Sequence, residues 1–245
     1  MKHTRLACML LYVVIPFFFT SCGGGGTENK TSTDSTAADS ATVAVTPKTT
    51  TITTPQSMMV ATHKVSNYAK WKTSYDAHDS ARLVNGIHSY VIGRGEKDSN
   101  MVMVAVKVDD MAKAKAFAKD PSLKQAMQKG GVTGMPSFSF VTMTFQDTAT
   151  ISSDLRSRTT FTVKDWDAWQ KAFQEGEQQR KDNGIALRAY GHDADDDKKV
   201  VLVTAIMDTT KAYAYWKSDM LKQRRAASGV VGEPERFVYR VVKRY

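Results

Sequence analysis

The chain has 245 residues, of which 42% are hydrophobic and 24% are charged, and its formal net charge is +9. Both cysteines, Cys8 and Cys22, lie within the first 22 residues, so disulfides and thiolate chemistry are excluded from the rest of the chain. The moderate positive charge favours solubility or attraction to an anionic membrane surface.

The N-terminus has the pattern of a secretory signal, predicted over residues 1–21. Lys2 and Arg5 precede an apolar run at residues 6–19, which is too short to span a membrane. The stretch Phe19-Thr20-Ser21-Cys22 resembles a bacterial lipoprotein cleavage box, which implies cleavage before Cys22 and acylation of that residue. The alternative is ordinary secretion with a free thiol at Cys22. Removal of the signal leaves a formal charge of +7.

A polar segment at residues 22–56 follows the signal. It consists mainly of Gly, Ser, Thr and Ala, so it cannot bury enough surface to offset the entropy of ordering. We expect a disordered tether with a reach of roughly 30 Å. Gly23 stands where an acidic retention signal would be, and by resemblance to other lipoproteins this favours the outer membrane, facing the periplasm. A protein anchored there is not expected to bind nucleic acid.

The rest of the chain repeats itself. The segment at residues 65–71 returns about 98 positions later at residues 163–169, and an Arg–Asn–Gly–Ile signature recurs in register. Two copies of one folded unit are therefore predicted, at residues 57–146 and 157–245.

Each copy is predicted to contain strand, helix, hairpin, helix and strand. The first copy has predicted strands at residues 58–65, 87–92, 101–108 and 138–145, and the second at 158–163, 185–190, 200–207 and 237–242. A helix with an aromatic stripe follows the first strand of each copy, capped by Asn67 or Ser66 and by Asp165. A second helix follows the hairpin, and Pro121 interrupts it in the first copy. This order is the ferredoxin-like βαββαβ arrangement of the α+β class.

Both faces of the predicted strands are apolar. Along residues 101–108, four valines form one face, while Met101, Met103 and Ala105 lie on the other. A sheet that is covered by helices on one face alone should alternate more cleanly between apolar and polar residues. We therefore predict that the two repeats cover each other's second sheet face within one monomeric chain.

The repeats resemble the dimeric α/β-barrel superfamily, which includes antibiotic-biosynthesis monooxygenase-like domains. The resemblance rests on Val163–Trp169, the Arg–Asn–Gly–Ile signature and a Gly–Val–x–Gly–x–Pro turn before the last strand, and it covers the chain from about Met58 to Tyr245. Members usually pair two ferredoxin-like subunits, so a tandem copy implies an intrachain version of that barrel. The superfamily spans cofactor-free oxygenases, haem-processing enzymes and binding modules, so the resemblance leaves the activity open.

Arg82 and Arg180 are candidate ligand-binding residues. Each lies on the aromatic stripe, where a charge is costly unless it is paired or holds an anion. One hypothesis places the guanidinium in a pocket between helix and sheet, where it suits a carboxylate or phenolate. The alternative is an arginine that bonds helix-end carbonyls or a carboxylate. Trp71, Tyr75 and Trp169 complete the candidate set, and the alternative for the tryptophans is a place in the core.

Two histidines occur in one repeat alone. His78 corresponds to Gly176, and His63 corresponds to Phe161. A pocket shared by both histidines and Arg82 would be a candidate proton-transfer site, because histidine titrates near neutral pH. The second repeat would then carry a vestigial pocket. The alternative for His78 is a partly buried helix residue bonded to a neighbour.

The sequence gives no positive sign of a metal or cofactor. The acidic loop at residues 192–197 offers oxygen ligands for a hard cation, but it lacks the glycine and glutamate spacing of a calcium loop. We therefore expect a solvated hairpin. The chain has no HExxH, P-loop or GxGxxG motif, so zinc-protease and nucleotide-binding functions have no support.

Three functions remain open. The first is a lipid-anchored envelope module that binds a small apolar or weakly anionic molecule or a protein partner. The second is a cofactor-independent monooxygenase-like enzyme, with Arg82 and His78 or His63 handling charge and protons. The third is a structural role without a ligand. A pocket reached by both His78 and Arg82 favours the first two, whereas packed aromatic side chains favour the third.

Overall fold

The computed structural model describes residues 50–245. The predicted signal, Cys22 and residues 22–49 of the predicted tether lie outside the described residues. Among residues 50–245, no helix is long and apolar enough to span a membrane.

The first repeat has the predicted element order, preceded by one short strand. Its elements are β1 Thr51–Ile52, β2 Gln56–Val65, α1 Tyr68–Ala77, α2 Asp79–Val84, β3 Ile87–Gly95, β4 Met101–Val108, α3 Met111–Phe117, α4 Pro121–Lys129 and β5 Val132–Asp147. Asn67 caps α1, because its side chain accepts a hydrogen bond from the Lys70 amide at 2.9 Å.

The second repeat has the same order. Its elements are β6 Leu155–Val163, α5 Trp166–Glu175, α6 Glu177–Asp182, β7 Ile185–Asp193, β8 Lys199–Ile206, α7 Thr209–Trp216, α8 Asp219–Ala227 and β9 Val230–Arg244. Asp165 caps α5 as predicted, since it accepts a hydrogen bond from the Ala168 amide at 2.7 Å.

The ordered region begins before residue 57, inside the predicted tether. Strand β1 pairs with the end of β5, and β2 already begins at Gln56. The Thr50 carbonyl also accepts a hydrogen bond from the Thr148 amide at 2.7 Å. These residues are ordered because the end of β5 offers backbone groups to pair with, which composition does not reveal.

Each helix that was predicted as continuous after the first strand is broken in two. The breaks fall at His78 and at Gly176, where the backbone leaves helical geometry. The second helix of the second repeat is also broken, at Lys217 and Ser218, although no proline is present there. Ser218 starts the new helix by accepting a hydrogen bond from the Leu221 amide.

The Gly–Val–x–Gly–x–Pro segments lie inside the last strands rather than in turns before them. Gly134 and Gly232 have φ angles of +73° and +71°, within β5 and β9. The β2–β5 register shifts at this point, since Thr62 faces Ser137 while Lys64 faces Thr133. The strand therefore carries extra residues there, in a bulge that needs the left-handed backbone of glycine.

The strands form one closed antiparallel barrel. Their order is β1-β5-β2-β4-β3-β9-β6-β8-β7, and β7 pairs in turn with β5. The two repeats therefore meet at two seams, where β3 pairs with β9 and β5 pairs with β7. Closure leaves no free edge among the eight strands of the ring.

The barrel interior contains the apolar face that needed a cover. Met103 and Ala105 of β4 pack there with Val201 and Tyr239 of the second repeat, and Met103 is 3% exposed. The opposite face of β4 packs under the helices of its own repeat. The prediction that the repeats cover each other's second sheet face is confirmed.

Candidate functional site

A cavity of about 280 Å³ lies between the sheet and the helices of the first repeat, and we call it the first-repeat pocket. It brings together all the candidate site residues that the sequence placed in this repeat. They are His63, Trp71, Tyr75, His78 and Arg82. The rest of its wall is mainly apolar and small, which is typical of a small-molecule site with a few polar groups.

His63 is a buried polar side chain in the wall of the first-repeat pocket. It lies on β2 beside the bulge, faces the helices, and is 4% exposed. Neither of its ring nitrogens has a hydrogen-bond partner among residues 50–245. Burial lowers the pKa of His63 to about 4, so the ring is neutral at pH 7 and offers one donor and one acceptor.

Trp71 and Tyr75 form an aromatic wall of the first-repeat pocket. Their rings stack with centroids 5.2 Å apart, and the Trp71 ring lies 5.5 Å from His63. The Tyr75 hydroxyl pairs with the Ser89 hydroxyl at 2.7 Å, and burial raises the pKa of Tyr75. Trp71 also belongs to the hydrophobic core between the sheet and the helices. It is therefore both a core residue and part of the pocket wall.

Arg82 makes the contacts expected of a helix-end arginine. Its Nη1 donates to the Tyr75 carbonyl at 2.7 Å, its Nη2 donates to Asp79 at 2.9 Å, and the guanidinium lies 3.7 Å from the Tyr75 ring centroid. These contacts join α1 to α2 across the break. Its Nε is buried and has no partner within residues 50–245, so one donor of this cation remains available.

His78 lies at the break between α1 and α2 and is exposed. Its Nδ1 is 2.8 Å from the Ser74 carbonyl, one turn earlier in the helix. The ring also contributes to the wall of the first-repeat pocket. This arrangement corresponds to a helix histidine bonded to a neighbour, although the side chain is more exposed than that alternative supposed.

The equivalent space in the second repeat is largely filled. Its cavity is about 100 Å³ and includes Trp169 and Arg180 in its lining. Phe161 takes the place of His63 and packs edge-on against Trp169, with centroids 5.5 Å apart. Arg236 stands where the first repeat has Phe138, and it lies 4.0 Å from the Trp216 ring centroid.

Arg180 repeats the role of Arg82. Its Nη1 donates to the Phe173 carbonyl at 2.5 Å, and its guanidinium lies 3.7 Å from the Phe173 ring centroid. Burial lowers the pKa of Arg180 to about 10, so the side chain remains a cation at neutral pH. The shared contacts indicate that this arginine stabilises the broken helix in both repeats.

The small residues that open the first-repeat pocket were not predicted. Ala126 lines it, whereas the equivalent residue, Arg224, projects into the smaller cavity of the second repeat. A comparison of side-chain sizes at equivalent repeat positions is the signal that finds such pairs. Sequence motifs do not include such positions, because alanine carries no chemistry of its own.

The acidic loop forms the connection between β7 and β8. Asp195 pairs with Lys115 at 2.6 Å, and Asp196 pairs with Lys199 at 3.2 Å. Over residues 50–245, no group of three or more His, Cys, Asp or Glu side chains has the arrangement of a metal site.

No protein-family model and no curated protein sequence matches the chain. Solved structures do match it. A Fusobacterium nucleatum protein described as a "Putative monooxygenase" gives a TM-score of 0.51 at 12% identity, covering 77% of this chain and 93% of that chain. A protein described as a "Putative Chlorite dismutase" gives a TM-score of 0.50 at 13% identity, covering 77% of this chain and 95% of that chain.

At these identities the likeness concerns the fold alone. Both matches cover nearly the whole length of their own chains, so the likeness extends over both repeats and not one of them. The chain has a two-repeat, ferredoxin-like fold that closes into one α/β barrel, as the resemblance in its sequence implied.

Proposed function

We propose that the protein binds a small, flat and largely apolar molecule with one weakly acidic hydroxyl group in the first-repeat pocket. The observation that carries this proposal is His63, which is buried in the pocket wall with both ring nitrogens unpartnered among residues 50–245. A buried polar group without a partner costs about 1–3 kcal/mol. A ligand hydroxyl that bonds to His63 recovers this free energy.

The walls of the pocket support a flat apolar ligand. Trp71, Tyr75 and Phe138 present aromatic rings, and Val104 and Met59 present aliphatic groups. Aromatic rings favour stacked or edge-on contact with other flat groups. The volume of about 280 Å³ lies near the lower end of the range for ligand sites, which favours a compact molecule of one to a few rings.

The polar groups support a weakly acidic hydroxyl rather than a strong anion. Because the pKa of His63 is about 4, its ring is neutral at pH 7 and accepts a hydrogen bond without adding positive charge. Both terminal nitrogens of Arg82 already donate hydrogen bonds, to the Tyr75 carbonyl and to Asp79. They are therefore not free to hold a carboxylate with two parallel hydrogen bonds. Its free Nε supplies a single further donor.

Native mass spectrometry of the full-length chain purified from its own host tests this proposal. The matched variant is His63→Phe, because phenylalanine already occupies the equivalent position, Phe161, in the second repeat. We expect the unaltered protein to retain a small molecule that the variant loses. The same molecule retained at the same occupancy by both proteins would contradict the role of His63.

A cofactor-independent oxygenase is the second candidate function. In that reaction a phenolic substrate is deprotonated and O₂ oxidises an activated CH₂ group to a carbonyl; one oxygen atom enters the product and the other leaves as water. His63 is the base that favours this candidate, because it lies in the pocket wall with Arg82. The pKa of His63, about 4, disfavours the oxygenase candidate, since proton transfer to this ring from a phenol of pKa about 10 costs about 8 kcal/mol.

Oxygen uptake distinguishes the two candidates. With 1,8-dihydroxyanthrone as the probe, which carries phenolic hydroxyls and an activated CH₂ group, an oxygenase consumes one O₂ for each CH₂ group oxidised, and His63→Phe reduces that rate by about 100-fold or more. A binding protein without turnover gives no uptake above the uncatalysed rate. Because the pKa of His63 is only about 4, we expect the second result.

We also propose that the protein is anchored by lipid at Cys22 in the outer membrane, facing the periplasm, and acts as a monomer. The support is the signal pattern before Cys22 and Gly23 after it. Labelling with a palmitate analogue, followed by membrane fractionation, tests the anchor. Cys22→Ser is expected to abolish the label, and an equal label in both chains would contradict acylation at Cys22.

A further inference from the structure

The barrel interior contains a second cavity, of about 90 Å³, which is separate from the first-repeat pocket. Four arginines line it, and all of them belong to the second repeat. They are Arg156, Arg158, Arg188 and Arg244. At the equivalent positions, 98 residues earlier, the first repeat has Met58, Val60, Tyr90 and Gln146. The cavity therefore has one apolar wall and one cationic wall.

The charges in this cavity are not balanced. Among residues 50–245, the one carboxylate in its lining is Asp147, which pairs with Arg188 at 2.8 Å. Burial, and then the charge of Arg244, lower the pKa of Arg156 to about 10. The cations are thus close enough to repel one another in a partly dehydrated space, where an anion is stabilising.

Two of the four arginines hold the segment that joins the repeats. Arg156 donates through Nη1 to the carbonyls of Ser153 and Leu155, and Arg188 donates through Nη2 to the Ala149 carbonyl at 2.6 Å. These contacts explain why Arg156 and Arg188 are ordered. They do not explain Arg158, which bonds to Ser139 through Nη2 alone.

Two buried donors in the cavity lining have no partner. They are Nε of Arg158 and Nε2 of Gln146, for which no hydrogen-bond partner exists among residues 50–245. Gln146 is 4% exposed. Buried donors are normally satisfied, so two unsatisfied donors in one cationic cavity indicate a missing acceptor.

The interior cavity adjoins an outer groove at one end of the barrel, and we infer that this junction is its entrance. Arg156 and Arg244 line both the interior cavity and an outer groove that is formed by residues 148–154 and the end of β9. The interior cavity is large enough for one small oxyanion or several water molecules. The cations at the entrance attract an anion toward the interior.

We propose that the barrel interior binds one small oxyanion of the phosphate or sulfate class. Arg158 and Gln146 donate hydrogen bonds to it, Arg156 and Arg244 supply charge at the entrance, and the apolar wall of the first repeat limits access of water. This site is independent of the ligand proposed for the first-repeat pocket. Both repeats face the same cavity, so arginines at the equivalent positions of both would double the repulsion. This explains why only the second repeat carries them.

Calorimetric titration of the full-length chain with inorganic phosphate, at an ionic strength held constant with chloride, tests this site. We expect one saturable site per chain. Arg158→Val introduces the residue of the first repeat, and it should weaken phosphate binding about tenfold or more because a charged donor is lost. Lys181→Gln is the matched control, since it removes an exposed cation of α6 that pairs with Glu177 away from the cavity and its entrance.

A second variant keeps the test valid if Arg158→Val folds poorly. Gln146→Leu removes a donor without changing charge, and it should also weaken phosphate binding while Lys181→Gln does not. Added phosphate should raise the thermal midpoint of the unaltered chain and of the control. The rise should be smaller for either cavity variant. Absence of a saturable phosphate heat in the unaltered chain, or equal affinity in all four proteins, would overturn the proposal.

Discussion

His63 and Phe161 occupy the same position in the two repeats. Because only the histidine titrates, we expect His63 to make the stability of the folded chain depend on pH. The pKa of His63 is about 4 in the folded chain against 6.5 for a free histidine. Between these two values the unfolded chain binds more protons, so the stability of the folded chain falls as the pH decreases from 6.5 toward 4.

His63→Phe removes this dependence. We expect the variant to gain about 2 kcal/mol relative to the unaltered chain when the pH is lowered from 7.5 to 5. Urea unfolding at the two pH values measures the difference, and other titrating groups cancel in the comparison. If the free energies of unfolding of both chains fall in parallel, His63 is not buried and neutral as described.

Arg82 and Arg180 act at the scale of the helical element. Each guanidinium bonds a carbonyl seven residues earlier and stacks on the ring of the same residue, across the break between two helices. Arg82→Met and Arg180→Met should each reduce the free energy of unfolding by about 2–4 kcal/mol, because buried carbonyl bonds are lost. Lys70→Met, at an exposed position of α1, is the control and should change stability little.

Equal losses in the two repeats would support a structural role for both arginines. If Arg82→Met leaves stability unchanged but abolishes binding of a pocket ligand, the arginine serves the ligand and not the helix. Urea unfolding and ligand titration of the same variants separate these outcomes.

The bulges in β5 and β9 allow a test of backbone strain without steric interference. At Gly134 and Gly232, an added Cβ would meet no atom within 4 Å, but both residues have a positive φ. Gly134→Ala and Gly232→Ala should therefore each lower the free energy of unfolding by about 1–2 kcal/mol, because a left-handed backbone is unfavourable for a residue with a side chain. Urea unfolding measures it, and an unchanged free energy of unfolding would contradict the bulge geometry.

The sequence predicted the elements well where local signals decide them. Asp165 was identified as a cap, and Asn67 as one of two alternatives with Ser66, because a short polar side chain before an apolar stripe bonds the first helical amides. The break at Pro121 was predicted, whereas the breaks at His78 and Gly176 were not, because Arg82 and Arg180 bond there to carbonyls seven residues earlier. Strand β1 was missed for a similar reason, since its order comes from pairing with β5.

At the scale of the whole molecule, closure of the barrel was predictable from strands that are apolar on both faces. The cationic wall inside it was not. Arg188 sits at a bulge between Leu187 and Ala189, so simple alternation along β7 does not give its direction. The structure brings the first-repeat candidates together in one pocket, which the sequence had left open. The small residues that open this pocket carry no recognisable motif.

Barrel closure also predicts that the two repeats unfold together. Met103 belongs to the first repeat but packs with Val201 and Tyr239 of the second. Met103→Ala should cost about 2–5 kcal/mol and should lower the protection of amides in β2 and β6 equally. Hydrogen exchange measures this, and loss of protection confined to the first repeat would show that the halves are independent.

The proposed function depends most on a ligand hydroxyl bonded to His63, and a binding cycle tests that contact directly. The dissociation constants of naphthol and naphthalene are measured for the unaltered chain and for His63→Phe by quenching of tryptophan fluorescence. We predict that the hydroxyl improves affinity about tenfold in the unaltered chain, the value of one recovered buried hydrogen bond, and not at all in the variant. An equal effect of the hydroxyl in both chains, or no binding of either probe, would contradict the account.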